Sequence, residues 1–135
     1  MTSIPIAEET EYSFEDKLIE RAKEQDCIIV YAAEDELQLD IDSPELYNAF
    51  TERYNEMQDR ISYFNSPIKL EITRDELSKG GNGRHVTIKV VGIKLRLLEK
   101  IALQFALHSD PKREFLNTVR VLTGSINAIC FFEKE

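Results

Sequence analysis

The hydrophobic period of the chain changes at Ser43-Pro44, and this switch constrains its fold more than any other feature. Before it, Leu37, Leu39 and Ile41 alternate with Gln38, Asp40 and Asp42, the two-residue period of a strand with one buried face. After it, Leu46, Phe50, Tyr54, Met57 and Ile61 recur three and four residues apart, which predicts a helix over 44–61. Ser43 supplies a hydroxyl cap, Pro44 suits the first helical position, and Glu45 is favoured by the helix dipole.

The same two periods organise the rest. Ile68, Leu70 and Ile72 alternate with polar residues, and after a loop at 74–83 Val86, Ile88 and Val90 alternate with His85, Thr87 and Lys89. A helix over 93–108 is expected to bury Leu97, Leu98, Ile101, Ala102 and Phe105. Asp110-Pro111 caps and opens another, with Phe115, Leu116, Val119 and Leu122 as its apolar stripe and Gly124 as its stop. Residues 126–132 read as a closing apolar strand.

Upstream, 1–12 is polar and reads as a flexible arm, and Ser13 and Asp16 have capping-box spacing before a helix over 14–25. Residues 27–31 are nearly continuously apolar, as in a strand covered on both sides, and the turn at 32–35 allows a hairpin with 36–42. The expectation is one α+β domain over 13–135. From 36 onward the order is that of a ferredoxin-like (RRM-like) split βαβ sheet, with helices on one face and an extra N-terminal helix-strand unit. The other face would be open to ligands.

Composition narrows the chemistry. Two histidines exclude a zinc constellation, and Cys27 and Cys130 lie in apolar runs that suit buried free thiols. No apolar run approaches the roughly 20 residues of a membrane span, and the N-terminus has no basic-then-apolar signal pattern, so a cytoplasmic protein without a membrane partner is expected. The net charge of −8 opposes nucleic-acid binding by the whole surface, but it is uneven: residues 1–68 hold 5 basic and 17 acidic side chains, and 69–100 hold 8 basic and 4 acidic. A basic stretch can meet a phosphate locally, or be only a solvated strand edge and helix face.

Asp40 and Asp42 share the polar face of one strand, where two carboxylates can hold a hard cation such as Mg²⁺. Acids at a strand end, near a helix N-terminus, are the plainer explanation. Ser78-Lys79-Gly80-Gly81-Asn82-Gly83-Arg84-His85 joins three glycines to three basic side chains, suited to a triphosphate and equally to a hairpin turn. It is not a P-loop, because no Gly-Lys-Ser/Thr follows and a strand comes next. A paired His-x-Thr phosphodiesterase is excluded because His108 precedes Ser109-Asp110; His108 reads as structural, and Asp110 as a helix cap or, alternatively to Glu133, as the acid that completes the site.

In combination, Leu39-Asp40-Ile41-Asp42 on a strand, a helix, a strand, and Gly83-Arg84-His85 opening another strand resemble the archaeo-eukaryotic primase superfamily, which includes primase-polymerases. The family's third motif, a hydrophobic residue and an acid on a later strand, has its positional match in Phe132-Glu133, with glutamate in place of the usual aspartate. The resemblance implies nucleotidyl transfer in DNA replication. Asp40 and Asp42 would bind Mg²⁺ or Mn²⁺, Asp40, Asp42 and Glu133 would be catalytic, and His85, Arg84 and Lys79 would hold a nucleoside triphosphate. The partners implied are single-stranded nucleic acid or a replication protein. Two alternatives remain open: an inactive relative that binds or inhibits through a nucleic-acid-like acidic face, and a metal-dependent nuclease or nucleotide phosphatase.

Overall fold

A computed structural model describes the backbone of residues 7–78, 80–125 and 128–134, and the side chains of 16–78, 80–125 and 128–133. Its elements are α1 (Ala7–Glu24), β1 (Cys27–Tyr31), β2 (Glu36–Ile41), α2 (Pro44–Tyr63), β3 (Lys69–Leu77), β4 (Arg84–Val91), α3 (Leu97–Ala106), α4 (Pro111–Leu122) and β5 (Cys130–Lys134). The chain is α+β, with four helices and two antiparallel sheets among the described residues, compatible with a split βαβ pattern. Helix α1 starts at Ala7, so residues 7–12, expected as an arm, are helical. Leu18 and Ala22 form its buried side.

The three-stranded sheet has the order β2-β4-β3. Leu37 faces Ile88 and Leu39 faces Val86, and with Ile41, Leu70 and Val90 they make one apolar surface. Helix α2 covers it with Phe50, which is buried, and with Leu46, Tyr47, Tyr54, Met57 and Ile61. The N-terminus of α2 forms as its residues dictate: Ser43 Oγ accepts the Leu46 N–H at 3.2 Å and Pro44 opens the helix.

Three further features differ from the expectation. Strand β1 does not form a hairpin with β2 but pairs antiparallel with β5, Ile29 opposite Phe132. The outward backbone groups of β2 are already occupied. Gln104 Oε1 accepts the Gln38 N–H at 2.9 Å, Arg113 Nη1 donates to Gln38 O at 2.7 Å, Ser109 Oγ accepts the Asp40 N–H at 3.0 Å, and the Asp110 N–H donates to Asp40 O at 2.7 Å. The α3–α4 junction therefore does for this edge what a neighbouring strand would do. The two-stranded ribbon leaves Ile28 and Tyr31 exposed, so β1 is not covered on both sides.

The second difference lies on α3 and α4. Because they serve a strand edge, their buried sides carry Lys100, Gln104, Glu114 and Asn117 as well as Ile101. Leu98, Phe105, Phe115, Leu116 and Leu122, expected in the core, face outward. The third is β3, which runs to Leu77 through a bulge between Ile72 and Arg74. One inserted residue reverses the alternation. Leu70 and Asp75 consequently share the α2 side, whereas Arg74 and Glu76 turn to the side that carries His85.

Glycine is required at the start of β4 for a steric reason. A Cβ on Gly83 would lie 2.3 Å from the backbone oxygen of Ile41, which has no freedom to retreat, whereas one on Gly80 would meet nothing within 4 Å. Gly83→Ala is expected to cost about 1–3 kcal/mol and Gly80→Ala less than about 0.5 kcal/mol, measured by urea denaturation. Equal costs would contradict the close approach of β4 to the end of β2.

Candidate functional site

The polar face of the three-stranded sheet is not open. Strand β5 crosses it, and the His85 ring lies parallel to the Phe131 ring, with centroids 4.0 Å apart and planes 1° from coplanar. Gln38 and Thr87 on this face are buried. What remains is a cleft of about 410 Å³ between the end of β2, the start of β4, β5, α1 and α4.

One wall of the cleft is acidic, formed by Asp40, Asp42 and Asp110, with His85 beside them. The pairing of β2 with β4 sets Asp40 opposite His85, and its Oδ1 is 3.7 Å from His85 Nε2. Asp110 is held near by its backbone bond to Asp40 O, while its own Oδ1 accepts the Lys112 N–H at 3.2 Å and caps α4. Four cations also line the cleft: Arg21 from α1, and Lys112, Arg113 and Arg120 from α4. None of these four belongs to the basic stretch at 69–100. Only the helical spacing of Lys112, Arg113 and Arg120 hinted at them, and charges so spaced usually face solvent.

Arg113 and Glu114 support the acidic wall from beneath. Glu114 is buried, and its carboxylate accepts bonds from Gln104 Nε2 at 2.8 Å, Ser109 Oγ at 2.6 Å, Arg113 Nη1 at 2.8 Å and Asn117 Nδ2 at 3.1 Å. Arg113 also donates to Cys130 O at 3.0 Å and stands over the Phe131 ring at 5.1 Å. One buried network thus fixes β2, α3, α4 and β5 around Asp40.

Two other residues singled out in the sequence, Glu133 and Arg84, stand elsewhere. Glu133 does not line the cleft: its Oε2 is 3.5 Å from His85 Nδ1 and 2.7 Å from Arg74 Nη2, on the far side of the imidazole from Asp40. Arg74 also pairs with Glu76. Arg84, next to His85 on a strand, points to the opposite face, where it bonds Asp75 at 2.6 Å and stands over the Tyr47 ring at 4.7 Å. Tyr47 bonds the same aspartate. Lys79 lies outside the described residues.

Burial lowers the His85 pKa below its ordinary 6.5, against the attraction of Asp40 and Glu133. Burial raises Asp40 above its ordinary 3.8; His85 and Arg113 oppose this, and Asp42 and Asp110 reinforce it. The two act oppositely on stability. Below pH 6.5 the unfolded chain takes up the histidine proton before the folded one, so the contribution of His85 is complete above 6.5 and is lost toward its lowered value. Folded Asp40 keeps its proton to higher pH than unfolded Asp40, so the penalty for its buried charge is relieved as pH falls toward 3.8. In Asp40→Asn the imidazole loses an attracting charge. It is expected to titrate at lower pH than in the parent by NMR; an unchanged or higher value would contradict the pairing.

Among the described residues no group of three or more His, Cys, Asp or Glu side chains is arranged to hold a metal ion. The donors do fit a weaker demand. Asp40, Asp42 and Asp110 border one cleft; burial raises the Asp40 carboxyl and the charges of Asp42 and Asp110 add to it, a penalty that a cation relieves. Mg²⁺ is commonly bound through only one or two carboxylates, with water and substrate phosphates completing its shell.

No family model, curated protein or solved structure matches the chain. No helix among the described residues is long and apolar enough to cross a membrane.

Proposed function

We propose that the chain is a primase-polymerase-like nucleotidyltransferase domain acting on a nucleoside triphosphate in the Asp40 cleft. One observation carries this: Asp40, Asp42 and His85 border the same cleft as Arg21, Lys112, Arg113 and Arg120. Carboxylates together with guanidinium and ammonium groups around one cleft suit a polyphosphate held against a bound cation.

Asp40 and Asp42 would hold Mg²⁺ or Mn²⁺, with Asp110 rather than Glu133 as the nearest further acid, and the cation would neutralise charge on the phosphates. Arg21, Lys112 and Arg120 bind the triphosphate oxygens, while Arg113 stays committed to Glu114 and the backbone of β2 and β5. In transfer, a 3′-oxygen forms its bond to the α-phosphorus, pyrophosphate leaves, and Asp40 receives the hydroxyl proton. Glu133 orients the imidazole through Nδ1, which leaves Nε2 toward Asp40 and the cleft. Single-stranded template or a replication protein is the partner this function requires.

A second reading is favoured by the Glu133–Arg74 pair, which neutralises the acid that would otherwise be the third ligand. On that reading the chain keeps the cleft as a binding site and has lost the chemistry. Incubation with single-stranded template, labelled nucleoside triphosphates and Mn²⁺ separates these. Labelled primers or extended strands are the expected product, binding without product would mean the inactive domain, and shortened strands would mean a nuclease.

A further inference from the structure

A second cavity, of about 480 Å³, shares no lining residue with the Asp40 cleft. It lies under the β1–β2 turn, and its walls include Leu37, Val90, Ile93 and Leu95. Lys100, from the first turns of α3, also lines it, although only 4 % of that residue is exposed. Its Nζ donates to Ala33 O at 3.0 Å, and among the described residues no carboxylate stands within ion-pair distance of it. Glu34, Asp35 and Glu36 are at the mouth, where Lys94 pairs with Glu34 at 3.0 Å.

An ammonium normally avoids such a position unless it is paired with a carboxylate. Burial lowers the Lys100 pKa, against the pull of Glu36, Asp35 and Glu34, so the neutral amine is more accessible than on an exposed lysine. Acids at the mouth repel anionic ligands, and the apolar walls accept an uncharged body.

We propose that this cavity is a binding site for a small, neutral aldehyde or ketone with an apolar body, and that Lys100 is the group that captures its carbonyl. The Nζ lone pair forms a bond to the carbonyl carbon, the carbonyl oxygen takes up the two amine protons and leaves as water, and a C=N bond remains. Desolvated lysines in apolar pockets are activated for this step.

The test uses the full chain with 2-hydroxy-1-naphthaldehyde at neutral pH. Cyanoborohydride reduces the imine by hydride addition, and the modified lysines are then located by peptide mass mapping. Lys100 is expected to be modified at least about tenfold faster than Lys89 and Lys94, a preference that urea unfolding abolishes. Ile93→Trp, at an exposed position of the mouth, is expected to reduce modification of Lys100 about tenfold by filling the entrance, with the melting temperature unchanged. Modification that follows exposure and spares Lys100 would overturn the proposal, as would modification of Lys100 that Ile93→Trp does not affect.

Discussion

Glu114→Ala is expected to lower the melting temperature by roughly 10–20 °C, from a loss of about 3–5 kcal/mol in a domain of this size. The size of the effect follows from what the carboxylate holds. Four donors, from Gln104, Ser109, Arg113 and Asn117, converge on it in a buried position. Removing it leaves the Arg113 guanidinium largely buried without its carboxylate and deprives three further donors of an acceptor. The same side chains satisfy the outward backbone of Gln38 and Asp40, so the edge of β2 loosens with the helices. Glu114→Gln keeps the shape and one acceptor oxygen and is expected to lose less. Differential scanning calorimetry measures both; a Glu114→Ala protein melting within about 3 °C of the parent would mean that the network does not hold the β2 edge.

Asp42→Asn is expected to reduce nucleotidyl transfer about 100-fold or more, whereas Arg84→Ala changes it less than about threefold. Asp42 is exposed in the cleft, so its amide variant should fold as the parent does and differ only in charge. Arg84 is held on the α2 side by Asp75 and Tyr47 and cannot reach a phosphate bound beside His85 without breaking those contacts. Initial rates of labelled primer synthesis, with melting temperatures as a folding control, separate the two. Comparable losses in both variants would indicate that the triphosphate lies on the other face of the sheet.

The parts of this fold legible in the sequence are those where one side of an element is apolar and the other wet. Leu37 to Ile41, the α2 stripe from Leu46 to Ile61, and Val86 to Val90 fall where alternation and helical spacing place them, because one core face buries all three. Asp110-Pro111 likewise opens α4 by capping alone. The same rule places the helices α3 and α4 and the burial of Ile101, but not the rest of their buried faces. Lys100, Gln104, Glu114 and Asn117 are buried because each has a hydrogen-bond partner on another element or on α4 itself, and partners remote in sequence leave no trace in a hydrophobic period.

The site was legible in the same uneven way. Asp40 and His85 were found because each begins or ends a strand whose period was clear, and the register then put them opposite each other. Arg84 was grouped with His85 by adjacency, although neighbours on a strand point to opposite faces. The bulge that turns Arg74 toward Glu133 has no hydrophobic signature, and the gathering of cations from α1 and α4 at the cleft depends on helix placement.

If Asp40 and Asp42 form one cation-dependent site for a nucleoside triphosphate, calorimetric titration with a non-hydrolysable nucleoside triphosphate reads it without relying on turnover. With Mn²⁺ present the parent is expected to give saturable binding heat that disappears when the cation is chelated and in Asp40→Ala/Asp42→Ala. No heat in the parent, or the same heat in the double variant, would contradict it.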